Sequence, residues 1–170
     1  NILAAGFGLT VWNRSASRAE ELIGQGAKKG LSPADVAAAS DIVLLCVTDE
    51  HSVNEVLFAP SGVVEGAAQG TLIVDASTIP PKASAAHAAQ LTRHNLSMLD
   101  APVSGSKEGA EQGTLSVMAG GGEADFNRAF PVLKAIGSTI VHVGNRCGDG
   151  QTVKLVNQLL ASGNTLVMAE

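Results

Sequence analysis

Aromatic side chains are scarce in this 170-residue chain: 4 Phe, 1 Trp and no Tyr. That scarcity excludes a β-sandwich whose core rests on stacked rings. Charge is also thin, at 16% of residues, and 11 Lys+Arg against 16 Asp+Glu leave a net −5. No basic footprint is present to hold a nucleic-acid backbone or an anionic membrane, so small molecules are the expected partners. The two cysteines, Cys46 and Cys147, form no Cys-x-x-Cys pair and no disulfide framework. They are expected as reduced thiols in a reducing compartment such as the cytoplasm, with Cys46, at the end of an apolar run, a small buried hydrophobe. The longest apolar runs are about six residues, against the roughly 18 that a membrane helix needs. His51, His87, His94 and His142 share no ligand spacing, so no metal site is expected. The first residue is Asn rather than Met, so nothing about a signal or transit peptide follows from the sequence.

What the chain has is aliphatic bulk, with 45% hydrophobic residues and 19 Gly, enough for a single core of one domain of roughly 150 residues. Asn1 to Gly6 reads as the tail of a helix ended by Gly6. Leu9 to Asn13 reads as a strand, and Ser15-x-Ser17-x-x-Glu20 as the capped start of a helix to about Ile23. Ser32-Pro33 opens a short helix to about Ser40. Ile42 to Val47 and Thr71 to Asp75 are unbroken aliphatic runs, as in parallel strands covered on both faces, with a helical stretch at Val53 to Phe58 between them. Pro80-Pro81 starts an Ala-rich helix to about Arg93. Ser97 to Asp100, Thr114 to Ala119 and Thr139 to Val143 are strand-like, and Glu123 to Ile136 is helical. A last helix begins near Asp149 and keeps its pattern to Glu170, apolar over more than one face, so it requires a covering partner. The alternation predicts an α/β protein with a Rossmann-like, doubly wound, mostly parallel sheet, and no linker interrupts residues 1 to about 145.

Three segments carry chemistry. In a dinucleotide-binding α/β fold the end of the second strand meets the adenosine ribose about 20 residues after a Gly-rich turn. Here that end is Asn13-Arg14-Ser15, and counting back from Asn13 places the turn ahead of residue 1. Arg14 offers a planar fork of donors to a 2′-phosphate where a 2′-hydroxyl reader would carry an acid, which favours NADP, with NAD the alternative. In Gly148-Asp149-Gly150-Gln151-Thr152-Val153-Lys154-Leu155-Val156-Asn157, Lys154 and Asn157 share a helix face, and Gly150 on that face is expected to leave room for a ligand. Lys154 suits a general acid and Asn157 a hydrogen-bonding anchor. Asp100 to Ser106 leaves a strand and enters a turn whose amides and hydroxyls suit a carboxylate. Gly120-Gly121-Gly122 reads as a strand-to-helix connection.

Taken together, Asp100 to Gly122 (DAPVSGSKEGAEQGTLSVMAGGG) and Gly148 to Gln158 (GDGQTVKLVNQ) resemble the signature segments of the β-hydroxyacid dehydrogenases. That family includes 3-hydroxyisobutyrate dehydrogenase and tartronate semialdehyde reductase, with 6-phosphogluconate dehydrogenase a more distant relative, and the similarity spans essentially the whole chain. The resemblance implies a catalytic Lys154 with Asn157 beside it, and a substrate turn of Ser104, Gly105 and Ser106. The family's usual residue at Ser106 is Gly, so this chain departs from the pattern there. It further implies cofactor contacts at Asn13, Arg14 and Ser15, at Val47, Thr48 and Asp49, and at Ser77 and Thr78. It implies residues 1–146 as an NADP-binding domain whose first strand lies outside the sequence, residues 147–170 as the start of an interdomain helix leading to a helical C-terminal domain, and a homo-oligomer. The expected reaction is hydride transfer between a nicotinamide and a short β-hydroxy acid or semialdehyde acid. The rivals are a non-catalytic NADP-binding module, which Lys154 disfavours, and an imine reductase of the same architecture.

Overall fold

The computed structural model describes residues 1–169. The chain opens with one helical turn closed as the Gly6 position requires: Phe7 N–H bonds the Ile2 carbonyl and Gly6 N–H the Leu3 carbonyl, with Gly6 at φ +88°. This is the Schellman arrangement, which a residue with a Cβ would strain. β1 covers only Thr10–Val11, shorter than the expected Leu9 to Asn13. A 3₁₀ turn at Ala16–Ala19 then leads into α1 (Glu20–Gly24). The Ser15 side chain makes no cap, and the turn is instead held by Asn13 Oδ1, which accepts from Ser15 N–H at 2.9 Å. β2 (Lys28–Lys29) runs parallel to β1. α2 (Pro33–Ala38) starts as its sequence predicts, with Pro33 in the first turn and Ser32 Oγ accepting from Asp35 N–H.

β3 (Ile42–Leu45), α3 (Glu50–Phe58), α4 (Val63–Gly66), β4 (Leu72–Asp75), α5 (Pro81–Thr92) and β5 (Ser97–Asp100) follow as repeated strand-helix units. Their strands form a parallel ladder in which Leu45, Asp75 and Asp100 stand side by side. Next come β6 (Val103–Ser104), α6 (Ser106–Gln112), β7 (Leu115–Gly120), α7 (Glu123–Ile136), β8 (Gly137–Gly144) and α8 (Asp149–Ala169). β7 pairs antiparallel with β6 and with the end of β5, and parallel with β8, completing a sheet of six strands. The segment expected as a bare turn after Asp100 therefore holds a strand and a helix.

Helices cover both faces. Leu72 and Val74 face one core cluster with Leu99, Val117 and Leu133, while Ile73 faces the other with Val53, Leu57, Leu91 and Met98. This is the two-sided burial that an unbroken aliphatic strand announces. β3 stops at Leu45, so Cys46 lies beyond the ladder and is exposed, against the expectation of a buried hydrophobe. Among the described residues, β1 and β2 form a separate two-stranded sheet, and a cavity of about 700 Å³ lined by Leu9, Val11, Ile42, Leu44 and Val132 lies between β1 and β3. No helix among the described residues is long and apolar enough to cross a membrane.

Candidate active site

The carboxyl ends of β3, β4 and β5 lie in register, so the loops that leave them share one edge of the sheet, which is where α/β sheets bind ligands. Ser77 ties two of these loops. Its buried hydroxyl accepts from Val47 N–H at 2.9 Å, and its own N–H donates to Asp75 Oδ1 at 2.9 Å. Thr78 is exposed beside it. Asp49 is the N-cap of α3, its Oδ1 accepting from Ser52 N–H at 2.8 Å. Those bonds, more than the nearby positive charges of His51 and Arg14, hold its carboxyl below its ordinary value. The Arg14 charge reaches Asp49 from the loop after β1. Asn13, Arg14 and Ser15 are exposed, and among the described residues Arg14 makes no ion pair, so its guanidinium fork is available to a phosphate.

The other half of the site is α8 against the β5–β6 segment. Lys154 is 5% exposed, and burial pushes its ammonium below the ordinary lysine value. The amide of Asn157, one turn on, donates to Ser104 Oγ at 3.3 Å. Gly105, at φ +135°, turns the chain from β6 into α6, and Ser106 follows at φ +59°, a left-handed conformation that Gly adopts far more readily. This explains why the departure from Gly at Ser106 matters: the backbone keeps the glycine shape, and the serine hydroxyl bonds Glu108. The structure thus ties Asn157 to the turn of Ser104, Gly105 and Ser106, with Lys154 one turn earlier on the same helix, and sets Val47, Ser77 and Thr78 on the loops that leave β3 and β4.

Gly150 does not open space for a ligand. A Cβ there would run into the Met118 carbonyl and stand 2.8 Å from Asp100 Oδ2, so the missing side chain is what lets α8 reach β5 and β7. Sequence reasoning also passed over two residues at this junction. Asp100, fully buried, accepts from Gly148 N–H at 2.9 Å and from Gln151 N–H at 2.7 Å. Gln151, fully buried as well, donates to the Ser77 carbonyl at 2.7 Å and accepts from Ile79 N–H at 3.2 Å. The available signal was a carboxylate ending an apolar strand, since a buried charge demands nearby donors.

A parallel sheet wound on both faces, with small polar loops at its carboxyl edge and an unpaired arginine past β1, defines a dinucleotide-binding domain. The chain belongs to the family described as the NAD binding domain of 6-phosphogluconate dehydrogenase, which it matches over residues 1–144. It is 36% identical over its whole length to a probable mitochondrial 3-hydroxyisobutyrate dehydrogenase of Dictyostelium discoideum, covering 53% of that protein. It is 41% identical over 89% of its length to 2-hydroxy-3-oxopropionate reductase of Escherichia coli, covering 52% of it. Among solved structures, the 3-hydroxyisobutyrate dehydrogenase of Salmonella typhimurium superposes with a TM-score of 0.88 at 37% identity, over 94% of this chain and 56% of that one. The chain spans about half the length of the curated relatives it matches.

Proposed function

We propose that this chain serves an NAD(P)-dependent oxidoreductase that interconverts a short β-hydroxy acid and its semialdehyde, of the 3-hydroxyisobutyrate or tartronate semialdehyde type. The observation that carries the reading is a buried lysine, Lys154, on the same helix face as an asparagine bonded to Ser104. Residues 1–146 hold the dinucleotide, with Asn13, Arg14 and Ser15 at its adenosine end and Val47, Thr48, Asp49, Ser77 and Thr78 along the sheet edge. Arg14 makes NADP the preferred form. The bound nicotinamide supplies or receives the hydride. Ser104 and the amides of Gly105 and Ser106 bind the substrate carboxylate. Lys154 gives a proton to the carbonyl oxygen during reduction and takes it back during oxidation, and burial, by lowering its pKa, eases the release.

Two further parts of the reading are the protein's setting and its partners. The free thiols Cys46 and Cys147 support a reducing compartment such as the cytoplasm. The exposed side chains of Leu159, Leu166 and Val167 on α8, each at least 70% exposed, support a homo-oligomer or further chain packed on that helix.

The test is a set of initial rates for the full-length protein with NADPH and NADH across 3-hydroxyisobutyrate, glycerate, 4-hydroxybutyrate and glycolate with their aldehydes. Lys154→Ala should lower turnover by roughly 10²-fold or more while leaving NADPH affinity within about threefold. Unchanged turnover would remove Lys154 from the chemistry. Tight NADPH binding with no turnover of any hydroxy acid or aldehyde would favour a non-catalytic module, and turnover of cyclic imines alone an imine reductase.

A further inference from the structure

The backbone amides at the start of α8 are held by one strand end. Asp100 is 0% exposed, at the close of a strand whose two preceding residues, Met98 and Leu99, are core. Its two carboxylate oxygens are both used, one by Gly148 N–H and the other by Gln151 N–H. Gly148 is the residue before the helix, its carbonyl accepting the bond from Thr152 N–H, so these amides belong to the donor-rich, electropositive end of α8. Space for the carboxylate exists only because its neighbours lack side chains. A Cβ on Gly120 would stand 2.6 Å from Oδ1 and one on Gly150 2.8 Å from Oδ2.

We propose that Asp100 is a positioning residue of the reaction: by gripping the start of α8 it fixes that helix against the substrate turn and sets where Lys154 and Asn157 stand. This rests on the reading of Lys154 as the proton donor. The geometry gives the grip its leverage. Gln151 precedes Lys154 by one turn, and Asp100, which ends β5, precedes Ser104 at the end of β6 by four residues. The Asp100–Gln151 bond at one end and the Asn157–Ser104 bond at the other are two separate ties between the same pair of segments, which together fix both the rotation and the advance of the helix. The Gln151 side chain adds a third tie, to the loop of Ser77 and Ile79 on the cofactor side.

Burying this carboxylate costs a desolvation that its two amide bonds offset only in part, so its effect is to place the helix rather than to stabilise the fold. Burial outweighs the amide bonds and pushes the Asp100 carboxyl up to about 6, which brings loss of the charged grip into mildly acidic pH. The titratable and charged groups on the elements around it include Asp75 opposite on β4, Lys82 and His87 on α5, Asp125 on α7, His142 on β8, Arg146 and Cys147 ahead of α8, and Asp149 and Lys154 on α8. β7 contributes none. Cys147, pushed up to about 12 mainly by burial, stays neutral throughout.

The experiment compares wild type, Asp100→Asn and Lys154→Ala in the full-length enzyme, by turnover against pH, NADPH affinity, and amide hydrogen exchange of residues 147–157. For Asp100→Asn the expected result is turnover lowered about 10- to 100-fold, the acid limb near pH 6 abolished, NADPH affinity within about threefold, and exchange across 147–157 at least about tenfold faster. Wild-type turnover with its acid limb intact, or unchanged exchange, would overturn the proposal. Should Asp100→Asn not fold, the wild-type profile decides: turnover must fall below about pH 6 while NADPH affinity holds, and turnover that stays flat between pH 5 and 7.5 overturns the proposal. Normal turnover in Lys154→Ala defeats the reading of the site. Faster exchange with normal turnover in Asp100→Asn defeats only this inference.

Discussion

Asn157 donates its side-chain amide to the hydroxyl of Ser104, 53 positions away, at 3.3 Å. The bond leaves the Ser104 hydroxyl free to donate, and a substrate carboxylate is the acceptor that it suits. Asn157→Ala should raise KM for the hydroxy acid about tenfold, the effect of losing one hydrogen bond to a charged group, with NADPH affinity unchanged. Steady-state kinetics with varied acid and fixed cofactor check this, and an unaltered KM would separate Asn157 from substrate binding.

Arg14 stands past β1 with no acidic partner in ion-pair reach, and the carboxylate it influences, that of Asp49, is occupied as a helix cap. A phosphate paired with that fork contributes about 1.5–3 kcal/mol, or roughly ten- to a hundredfold in affinity. Arg14→Ala should weaken NADPH by that factor and leave NADH nearly untouched, as measured by titration of cofactor fluorescence. Equal affinities before and after the change would cancel the preference for NADP.

Ser106 holds φ +59° with a side chain attached. Removing that side chain relieves left-handed strain of about 1 kcal/mol, partly offset by the lost bond to Glu108, which is exposed and of small net worth. Ser106→Gly should therefore raise the melting temperature by about 1–3 °C. A fall in thermal midpoint would show that the hydroxyl matters more than the backbone.

The raised carboxyl of Asp100 has a stability signature whose sign is opposite to that of an ordinary salt-bridged acid. Its value moves from 3.8 in the unfolded chain to about 6 in the fold, so the folded state binds the proton more readily and the group's destabilising effect is full above pH 6 and fades toward pH 4. With those two values, wild type should gain about 2 kcal/mol relative to Asp100→Asn between pH 7 and pH 4.5. Denaturant midpoints at the two pH values give the difference directly, and a constant gap would mean that the Asp100 carboxyl is not raised.

The wound sheet was readable because β3 and β4 are buried on both faces and advertise it in continuous aliphatic runs. β2 was not, since a pair of exposed lysines, Lys28 and Lys29, shows no apolar alternation. α6 was missed for a related reason: its one buried residue is Gly109, which gives no periodic stripe to detect. In the candidate site, spacing alone showed that Lys154 and Asn157 share a helix face, and the small polar run showed the turn around Ser104. Asp100 and Gln151 were present in the same segments, yet their roles depend on a pairing across about 50 residues that no local spacing encodes. Gly150 was misassigned because an absent side chain fits a ligand and a neighbouring backbone equally well until the neighbour is seen.

The seam between β1 and β3 carries a final consequence. Each strand turns a backbone edge toward the same apolar hollow, and β1 has only two residues paired with β2 to hold it. Two-stranded ribbons are marginal in water, and open edges over apolar surface recruit whatever extended chain is nearby. Breathing of the fold should therefore begin there, ahead of the β4–β5 centre, and an extended segment laid into the hollow would fuse the two sheets into one and make this corner the firmest part of the domain.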